Sequence, residues 1–402
     1  MPRDEIVVGL EIGTSKVCVV VGEIKSDSTI KIIGVGEAAS RGVRKGEIVD
    51  FDICGKCIRE AVVEAEEKSD VLIKNIYLGV TGAHMQSFNS RGTHLLPEER
   101  DEITNEDVEA VQEKARDISV SSHNTFLHTI LQHYYVDAQE GVINPVGMFG
   151  KKLEADFHII HGVASRIKNT IRCVKELDLE VEDIVFNPFA SAQVVLDQQQ
   201  KNIGALAIDM GGGTTGYMAY LDGAVEQSGV LGLGGDHITN DLSLGLRIPM
   251  AKAEKLKIEH GCVTIGNSEV GDVILLRDEH GFAGKEIERE TLNTIIHLRV
   301  RETLELLKMR LIADNVLDML GAGVVLTGGS SMMRGVKHLA EEVFGLPVQL
   351  TRAHNMTGNI SAFENPKYST AIGLVKYAQA TFELENKGFL GSIFDWLVSG
   401  RK

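Results

Sequence analysis

Short apolar runs separated by glycine and polar turns open the chain. The runs at 5–11, 16–24 and 30–39 each have the length of a strand, and residues 75–81 form a fourth such run. Between them, residues 52–68 carry apolar side chains at a helical spacing, which predicts a helix. Strands mixed with helices in this way predict an α/β fold built on a mixed sheet.

The pattern changes between residue 84 and about residue 162. An acidic, turn-rich stretch at 96–102 is followed by a predicted helix at 104–119, which begins at a capping threonine and carries an apolar stripe. Strand-like segments follow at 126–137 and 154–163. About eighty residues with their own helix and strands predict a small separate domain inserted into the first sheet unit.

Helical and strand-like segments alternate again through the second half of the chain. Helices are predicted at 165–177, 188–196, 249–260, 288–313 and 368–380, and strands at 181–186, 203–208, 216–221 and 323–327. The helix at 288–313 repeats leucine, isoleucine or valine every three or four positions, so one of its sides is predicted to be buried.

A carboxylate followed by a glycine turn occurs twice between strand-like runs, as EIGTSK at 11–16 and as DMGGGTT at 209–215. Glycine lets the backbone approach an anion closely, and successive amide groups can then bind phosphate oxygens. Two such hairpins facing one another can hold the phosphates of a nucleotide from both sides. The predicted phosphate-binding residues are Gly13, Thr14, Ser15, Lys16, Gly211, Gly212, Gly213, Thr214 and Thr215.

The two carboxylates themselves predict a cation. Glu11 and Asp209 would repel phosphates unless a positive ion lies between, and Mg²⁺ held through water suits that position. The alternative is that each glycine turn is an ordinary hairpin, although two copies with the acid at the same offset argue against it. Neither turn matches the GxxxxGK[ST] or GxGxxG patterns of other nucleotide-binding loops.

A third glycine turn lies in GVVLTGGSSMMRG at 323–335, between a buried strand and a helix. Alone it indicates a plain strand-to-helix connection. Beside two phosphate-binding loops, Gly328, Gly329, Ser330 and Met333 are predicted to form the remaining wall of the nucleotide site.

Composition narrows the range of functions. The chain has 402 residues, enough for two or more domains, and its 43% hydrophobic and 24% charged content is that of a soluble globular protein. A net charge of −16 argues against nucleic acid as a partner. The five cysteines show no pairing pattern, and the sequence shows no signal peptide and no apolar run long enough to span a bilayer. These features predict a cytoplasmic protein.

Two pairs of candidate metal ligands are interpreted without a metal. Cys54 and Cys57 are interpreted as packing residues, and no metal site is assigned to His158 and His161.

The last residues of the chain carry a separate signal. Large apolar side chains share one predicted helix face, while Lys387, Arg401 and Lys402 supply positive charge in an acidic protein. This pattern is typical of a helix that lies in a membrane interface, and the alternative is a helix docked on the protein's own core or on a partner. The predicted membrane-contacting residues are Phe389, Leu390, Ile393, Phe394, Trp396 and Leu397.

The three glycine turns occur in the order and spacing of the actin-like ATPase superfamily. More specifically, the chain resembles the FtsA family of bacterial cell-division proteins from end to end. The stretches that carry this resemblance are GLEIGTSKV at 9–17, EGVINPVG at 140–147, AEKLKIEHG at 253–261, YSTAIGL at 368–374 and the last fifteen residues.

The resemblance implies an actin-like two-lobed fold of duplicated ribonuclease-H-like domains, with an inserted subdomain 1C and a C-terminal amphipathic helix. Its implied divisions are 1A at 1–83, 1C at 84–163, 1A again at 164–191, 2A at 192–235, 2B at 236–305, 2A again at 306–361, a connecting 1A helix at 362–382, a linker at 383–387 and the membrane helix at 388–402.

The resemblance also implies roles for individual residues. Glu254 and Lys257 match positions that contact the adenosine part of ATP, and Gly234 and Gly235 would lie near the cleft. At Asn187 the chaperones and MreB of this superfamily carry a glutamate that positions the attacking water. Because an amide cannot accept that proton, at most slow ATP hydrolysis is expected, with no confident catalytic residue.

The implied function is that of an ATP- and Mg²⁺-binding adaptor. Such a protein polymerises and tethers FtsZ filaments to the inner face of the cytoplasmic membrane at the division site, and it recruits later division proteins through 84–163. The FtsZ C-terminal peptide would bind subdomain 2B, where the polar candidates are Arg289, Asn293, Arg299 and Arg301. The alternatives are a pilus-assembly-type ATPase of the same fold and, less favoured, a sugar-kinase-like enzyme.

Overall fold

Two mixed sheets of matching strand order form the centre of the two lobes of the protein. The computed structural model describes residues 5–27, 29–118, 120–266, 271–277, 282, 284–353, 356–358 and 363–386. For residues 383–386 it describes the backbone only. The expected linker at 383–387 begins within the last helix, whose backbone continues to Asn386. Residue 387 and the expected membrane helix at 388–402 lie outside the described residues.

The first lobe is built on a six-stranded sheet in the order β11-β6-β1-β2-β3-β19. Its strands are β1 (Glu5–Ile12), β2 (Lys16–Ile24), β3 (Ile30–Ala39), β6 (Asn75–Val80), β11 (Glu180–Phe186) and β19 (Met356–Gly358), and a two-stranded ribbon of β4 (Val43–Arg44) and β5 (Glu47–Ile48) lies beside it. Its helices are α1 (Phe51–Ser69) and α3 (Ala164–Lys175).

The inserted module follows β6. It consists of a four-stranded antiparallel sheet in the order β7-β10-β8-β9, covered by one helix. Its elements are β7 (Gln86–Leu95), α2 (Asn105–Arg116), β8 (Asn124–Val136), β9 (Gln139–Val142) and β10 (Lys152–Val163). Tyr134, Leu153 and Phe157 are fully buried between this sheet and α2, so the module has a core of its own.

The second lobe repeats the plan of the first on a five-stranded sheet in the order β14-β13-β12-β17-β18. Its elements are α5 (Gln198–Ile203), β12 (Ala205–Met210), β13 (Thr215–Leu221), β14 (Ala224–Leu231), α6 (Gly235–Leu246), α7 (Met250–His260), β15 (Val273–Leu276), β16 (Lys285–Glu288), α8 (Arg289–Ala313), β17 (Gly323–Thr327), α9 (Val336–Phe344) and β18 (Val348–Leu350). In both lobes two antiparallel pairings lead into two parallel ones, which is the relationship expected of a duplicated unit.

Two helices connect the lobes, α4 (Asn187–Val195) and α10 (Ser369–Asn386). They cross where Gly373 faces the backbone of Ala190: a Cβ atom on Gly373 would lie 2.0 Å from the Ala190 carbonyl oxygen. α10 also lies directly on the first sheet, since a Cβ atom on Gly9 would be 2.6 Å from the carbonyl oxygen of Ala371. Glycine is required at both positions because any side chain would separate backbones that are in contact.

The predicted α/β class is confirmed, and most strands and helices predicted from periodicity are present within a few residues of their expected bounds. The helix predicted at 368–380 continues to Asn386. The structure adds β7, which the sequence did not predict because its residues, QSFNSRGTHL, are mostly polar. β7 is held by pairing with β10 and by α2, whose Val111 carbonyl would lie 1.9 Å from a Cβ on Gly92. Cys54 and Cys57 are buried in α1, as packing residues would be. The subdomain boundaries given above stay a prediction.

Candidate functional site

A cavity of about 570 Å³ lies between the two lobes, in the size range of small-molecule sites. Both acid–glycine turns open into it, and so does the third glycine turn. The predicted site residues that line it are Glu11, Gly13, Thr14, Ser15, Lys16, Asn187, Asp209, Gly211, Gly212, Gly213, Thr214, Gly235, Glu254, Lys257, Gly328, Gly329, Ser330 and Met333.

The two turns have the same internal geometry. In the first, the Gly13 amide donates to the Lys16 carbonyl at 2.9 Å, and in the second the Gly211 amide donates to the Thr214 carbonyl at 2.9 Å. Each carboxylate stands in the strand two residues before the first glycine of its turn. The sequence repeat therefore corresponds to a structural repeat, with equivalent groups aimed at one cavity.

The tips of the two turns face each other at contact distance. A Cβ atom on Gly213 would lie 2.3 Å from Oγ1 of Thr14, and one on Gly212 would lie 2.9 Å from the Cβ of Ser15. Any side chain larger than hydrogen would push the turns apart. This arrangement is a closed cleft, in which amide and hydroxyl groups from both lobes converge.

The two carboxylates both line the cavity and are largely buried, and each is close enough to affect the charge of its neighbours. Burial raises the pKa of Glu11, although Lys16 opposes this effect, and the neighbouring charge of Asp209 raises it further. Burial likewise raises the pKa of Asp209, against the hydrogen bond from Thr370. A cation close to both carboxylates would favour their ionised forms, as the charge of Lys16 already does in part. Their oxygens, with cavity space beside them, fit a hydrated Mg²⁺.

Lys16 is paired with Glu11 in this structure. Burial alone would lower the pKa of its ammonium group, but the adjacent Glu11 raises it above its usual value. Lys16 therefore carries its charge inside the cavity. An anion in the cavity would compete with Glu11 for that ammonium group, and a cation would compete with Lys16 for Glu11.

The opposite wall is formed by α7 and the third turn. Nζ of Lys257 donates to the carbonyl of Gly235 at 3.0 Å and pairs with Glu254 at 2.7 Å. Oγ of Ser330 donates to the carbonyl of Gly211 at 3.0 Å, which fixes the third turn against the second. Gly328 adopts φ +85°, a conformation that favours glycine, and packs on Asp209.

Two predicted residues do not line the cavity. Thr215 is buried and its hydroxyl donates to the carbonyl of Leu233 at 2.9 Å, so it supports the second turn from behind. Gly234 packs against the backbone of Gly211 and Gly212 at the start of α6. Both residues shape the loop without facing the space that it encloses.

Several lining residues were not predicted from the sequence, among them Glu37, Ile258, Lys367 and Thr370. Lys367 pairs with Glu37 at 2.8 Å, and the hydrogen bonds of Lys367 and Tyr368 lower the pKa of Glu37 in spite of its partial burial. Lys367 lies two residues before the connecting helix. No glycine turn accompanies it, so the sequence pattern does not mark it as a site residue.

Asn187 lies at the first turn of α4 and lines the cavity. Its side chain is buried, and its Oδ1 has no hydrogen-bond partner among the described residues. This oxygen lies against β6, where a Cβ atom on Gly79 would be 2.5 Å from it. The position presents no carboxylate, so this side chain cannot take a proton from water.

The four partner-binding candidates lie on α8, away from the cavity, and each has a contact within the chain. Arg289 pairs with Asp272 at 2.5 Å, and Arg299 pairs with Asp241 at 2.5 Å. Arg301 pairs with Glu305 and Glu342. The amide oxygen of Asn293, which is buried, accepts from the Cys262 backbone at 3.1 Å. A partner carboxylate would have to displace these acids, and the role stays a prediction.

No helix in the described ranges combines the length and apolar character needed to cross a bilayer. The six apolar residues predicted to contact the membrane fall after residue 386, outside those ranges. Within the same ranges no group of three or more metal-ligating side chains is present.

Comparison with known proteins identifies the family. The sequence profile described as "Cell division protein FtsA" matches residues 206–373, and that described as "SHS2 domain inserted in FTSA" matches residues 82–161. The cell division protein FtsA of Pseudomonas aeruginosa is 35% identical over 373 residues, covering 93% of this chain and 89% of that protein. The chain belongs to the FtsA family. The FtsA of Neisseria meningitidis is 36% identical over 370 residues, covering 92% of this chain and 89% of that protein.

Solved structures show that this FtsA-family chain has an actin-like fold, as expected. A chain of the PilM-PilN type IV pilus biogenesis complex superposes with a TM-score of 0.65 at 14% identity, covering 93% of this chain and 98% of that one. MreB5 of Spiroplasma citri bound to ADP superposes with a TM-score of 0.58 at 14% identity, covering 96% and 100%. The inserted SHS2 domain of FtsA corresponds to the module of β7 to β10.

Proposed function

We propose that this FtsA-family protein binds ATP with Mg²⁺ in the cleft and acts as a membrane-bound adaptor at the division site. In the ATP-bound form it polymerises. The filaments tether FtsZ to the inner face of the cytoplasmic membrane through residues 388–402. Membership of the family, with its role in cell division, favours this function over the pilus-assembly and sugar-kinase alternatives.

One observation carries the nucleotide part of the proposal: two glycine turns of identical geometry meet across a cavity that contains two buried carboxylates. An ordinary pair of hairpins has no need of buried acids. Bound Mg²⁺ would neutralise the charge between those acids and the phosphates. The chain's own groups would do the rest: turn amides and Thr14 bind phosphate oxygens, Lys16 supplies positive charge, and Lys257 with Glu254 borders the adenosine.

The hydrolysis that accompanies binding is slow in this proposal. An amide at Asn187 cannot act as a general base, a contribution typically of 10²–10⁴-fold. ATP then serves mainly as a switch of conformation and polymerisation. When the two lobes close around the nucleotide, every subunit adopts the same conformation. A filament requires this, because it repeats one contact between identical subunits.

The membrane part rests on the sequence of the last fifteen residues. Six large apolar side chains on one face would bind a bilayer interface, but ordering the helix costs about 1–2 kcal/mol of backbone entropy per residue. A single tail therefore binds weakly and reversibly. A filament presents many tails at once, and avidity makes the array bind far more tightly.

The partners follow from the same scheme. The FtsZ C-terminal peptide would meet the arginines of α8, whose guanidinium groups suit carboxylates. The other partners are further copies of the chain, membrane lipids and division proteins that bind residues 84–163. Nucleic acid is not a partner, because the net charge of −16 opposes it.

Two measurements test the proposal. Calorimetric titration with Mg²⁺ and ATP should show one binding site, and absence of binding by the full chain overturns the nucleotide part. Liposome co-pelleting with ATP and Mg²⁺ should separate the full chain from a chain that ends at Glu385. If neither form pellets at filament-forming concentrations, the membrane part is wrong.

A further inference from the structure

The inserted module touches the second lobe as well as the first. Its strands β7, β8 and β10 lie beside β14, which is the edge strand of the second sheet. Among the residues that the structure describes, no strand pairing joins the two sheets. Side chains make the connection instead, and we call this contact the edge latch: Ser87, Asn89, Gln132 and His158 of the module with residues 225–228 of β14.

Three donors of the module reach carbonyl groups of the edge strand. Oγ of Ser87 donates to the Ser228 carbonyl at 2.8 Å. Nδ2 of Asn89 donates to the Glu226 carbonyl at 3.0 Å, and Nε2 of Gln132 donates to the Val225 carbonyl at 2.7 Å. Carbonyl groups on a sheet edge need donors from somewhere. Here side chains of the inserted module supply the donors to β14. Such side-chain hydrogen bonds can break and re-form, so the contact is reversible.

His158 is a buried member of the edge latch. It is 1% exposed, and its ring nitrogens lie 2.6 Å from Oδ1 of Asn89 and 2.7 Å from Oγ of Ser228. Burial lowers its pKa to about 3, so the ring is neutral and has a single N–H. Because Asn89 presents an oxygen, we assign that N–H to Nδ1, and the Ser228 hydroxyl then donates to Nε2. Every member of the network has a partner, so the network has one defined geometry.

The module is at the same time fixed to the first lobe. Its chain enters from β6 and leaves into α3. In addition, Nε2 of His128 on β8 accepts from the Phe186 amide at 3.0 Å, and the His128 ring packs on Phe189 of the connecting helix α4 at 5.4 Å between centroids. A body attached to both lobes must move or detach when the lobes rotate.

The latch and the closed cleft occur in the same structure. The tips of the glycine turns touch at Thr14 and Gly213 while the latch bonds are all made. Opening the cleft by rotation of the lobes shifts β14 relative to the module. Hydrogen bonds of 2.6–3.0 Å do not survive displacements of an ångström or more.

We propose that the edge latch couples the inserted module to closure of the cleft. The latch holds the second lobe in the orientation in which the glycine turns meet, and a bound nucleotide in turn holds the module on β14. This coupling is reciprocal, as any coupling between two equilibria must be. The inference rests on the proposed nucleotide binding. It means that the contact between the module and β14 depends on whether the cleft is open or closed.

The test uses the full chain with Ser87→Ala and Asn89→Ala combined. Asn89 is exposed and Ser87 half-buried, so the double variant should fold. The matched control is Thr93→Val, on the same strand, because the Thr93 hydroxyl donates to Glu154 within the module and is not part of the latch. ATP affinity with Mg²⁺ is measured by calorimetry, and amide hydrogen exchange of β7 and β14 is measured with and without ATP.

The double variant should bind ATP about tenfold more weakly, equivalent to about 1.4 kcal/mol, while Thr93→Val stays within about twofold of the unmodified chain. ATP should protect the amides of β7 and β14 in the unmodified chain and protect them less in the double variant. Equal affinity and equal protection in the two would overturn the coupling and leave nucleotide binding intact. No ATP binding by the unmodified chain would overturn the proposed function, and the coupling with it.

Discussion

The hydroxyl of Thr370 donates a hydrogen bond of 2.7 Å to Oδ2 of Asp209. This bond joins the first turn of α10 to the carboxylate at the end of β12. Next to it, the hydroxyls of Ser369 and Thr327 are 2.7 Å apart. The connecting helix is therefore attached to the second lobe at the carboxylate that is proposed to face Mg²⁺. A change in the charge around Asp209 acts directly on the element that joins the lobes.

Replacing Thr370 with valine tests how much the hydrogen bond from Thr370 to Asp209 contributes to the free energy of unfolding. Valine keeps the shape but leaves a buried carboxylate oxygen without its donor, which costs about 1–3 kcal/mol. The free energy of unfolding, measured by urea denaturation, should fall by that amount. Thr370→Ser keeps the hydroxyl and is the matched control. If the valine and serine variants are equally stable, the bond contributes nothing measurable.

Removing one carboxylate charge should separate metal-dependent from metal-independent nucleotide binding. In Asp209→Asn the oxygen that accepts from Thr370 can remain, but the negative charge that attracts Mg²⁺ is gone. We expect ATP affinity with Mg²⁺ to fall about tenfold or more, and affinity in excess chelator to change little, by calorimetry. Asp222→Asn, at an exposed turn in the left-handed conformation that asparagine tolerates, is the control. A Mg²⁺ dependence equal to that of the unmodified chain would contradict the assignment.

Hydrolysis should be slow even when the site is saturated. The side chain at 187 is an amide. The carboxylates that line the described cavity come from other elements and are Glu11, Glu37, Asp209, Asp236 and Glu254. Turnover measured by phosphate release should lie far below the ~10 s⁻¹ of a median enzyme. Asn187→Ala should change it by less than about threefold, because the amide transfers no proton. Robust turnover that collapses in this variant would give Asn187 a role that its chemistry does not suggest.

The residues of the two acid–glycine turns could be predicted because their function requires a local pattern. A turn that brings its amides to an anion needs glycine at fixed offsets, and the sequence shows it twice. Glu37, Lys367 and Thr370 could not be predicted in this way. Glu37 is a single acid in a strand, and Lys367 and Thr370 are brought to the cavity by a connecting helix more than 150 residues after the second turn begins. Their proximity is created by the packing of the lobes.

The inserted module should lose stability in acid through Asp107. Burial opposes its ionisation, but hydrogen bonds from Arg100 at 2.5 and 2.7 Å and from the Thr104 amide at 2.8 Å hold its pKa well below the usual value. A lowered carboxyl pKa stabilises the folded state above the unfolded pKa of about 3.9, and that stabilisation is lost as the pH falls toward the folded pKa.

The measurement for Asp107 is hydrogen exchange of the α2 amides in the unmodified chain and in Asp107→Asn at matched pH. At pH 7 the variant should exchange faster by about tenfold, because the amide cannot replace a paired carboxylate. The difference should start to shrink below about pH 4 and continue to shrink as the pH falls toward the lower folded pKa of Asp107. A difference that stays constant from pH 7 to pH 3 would show that the charge of Asp107 is not what holds α2.

The tail should bind membranes through its apolar face. Trp396→Glu places a charge on that face and should abolish co-pelleting with liposomes of anionic lipid in the presence of ATP and Mg²⁺. Ser399→Glu adds the same charge away from the predicted apolar face and should reduce pelleting much less. Equal behaviour of the two variants would mean that total charge, and not an oriented helix, governs binding.

The β7 strand shows why part of the fold escaped sequence reasoning. Its polar residues lack the alternation of a half-buried strand, because α2 covers one face and the other carries polar pairs such as Arg91 with Asp156. The same polar residues supply the edge latch. When the side chains of a strand make polar contacts with another domain, the strand lacks the alternation of apolar and polar residues by which strands are predicted.

The crossing of the connecting helices at Gly373 and Ala190 has a mechanical meaning. Helices that interlock through large side chains slide in small steps, as ridges pass grooves. Here the two backbones touch with nothing between them, so the helices have no ridges to lock at that point and no room to come closer. The crossing point therefore fixes the distance between the two helix axes but leaves the angle between them free to change.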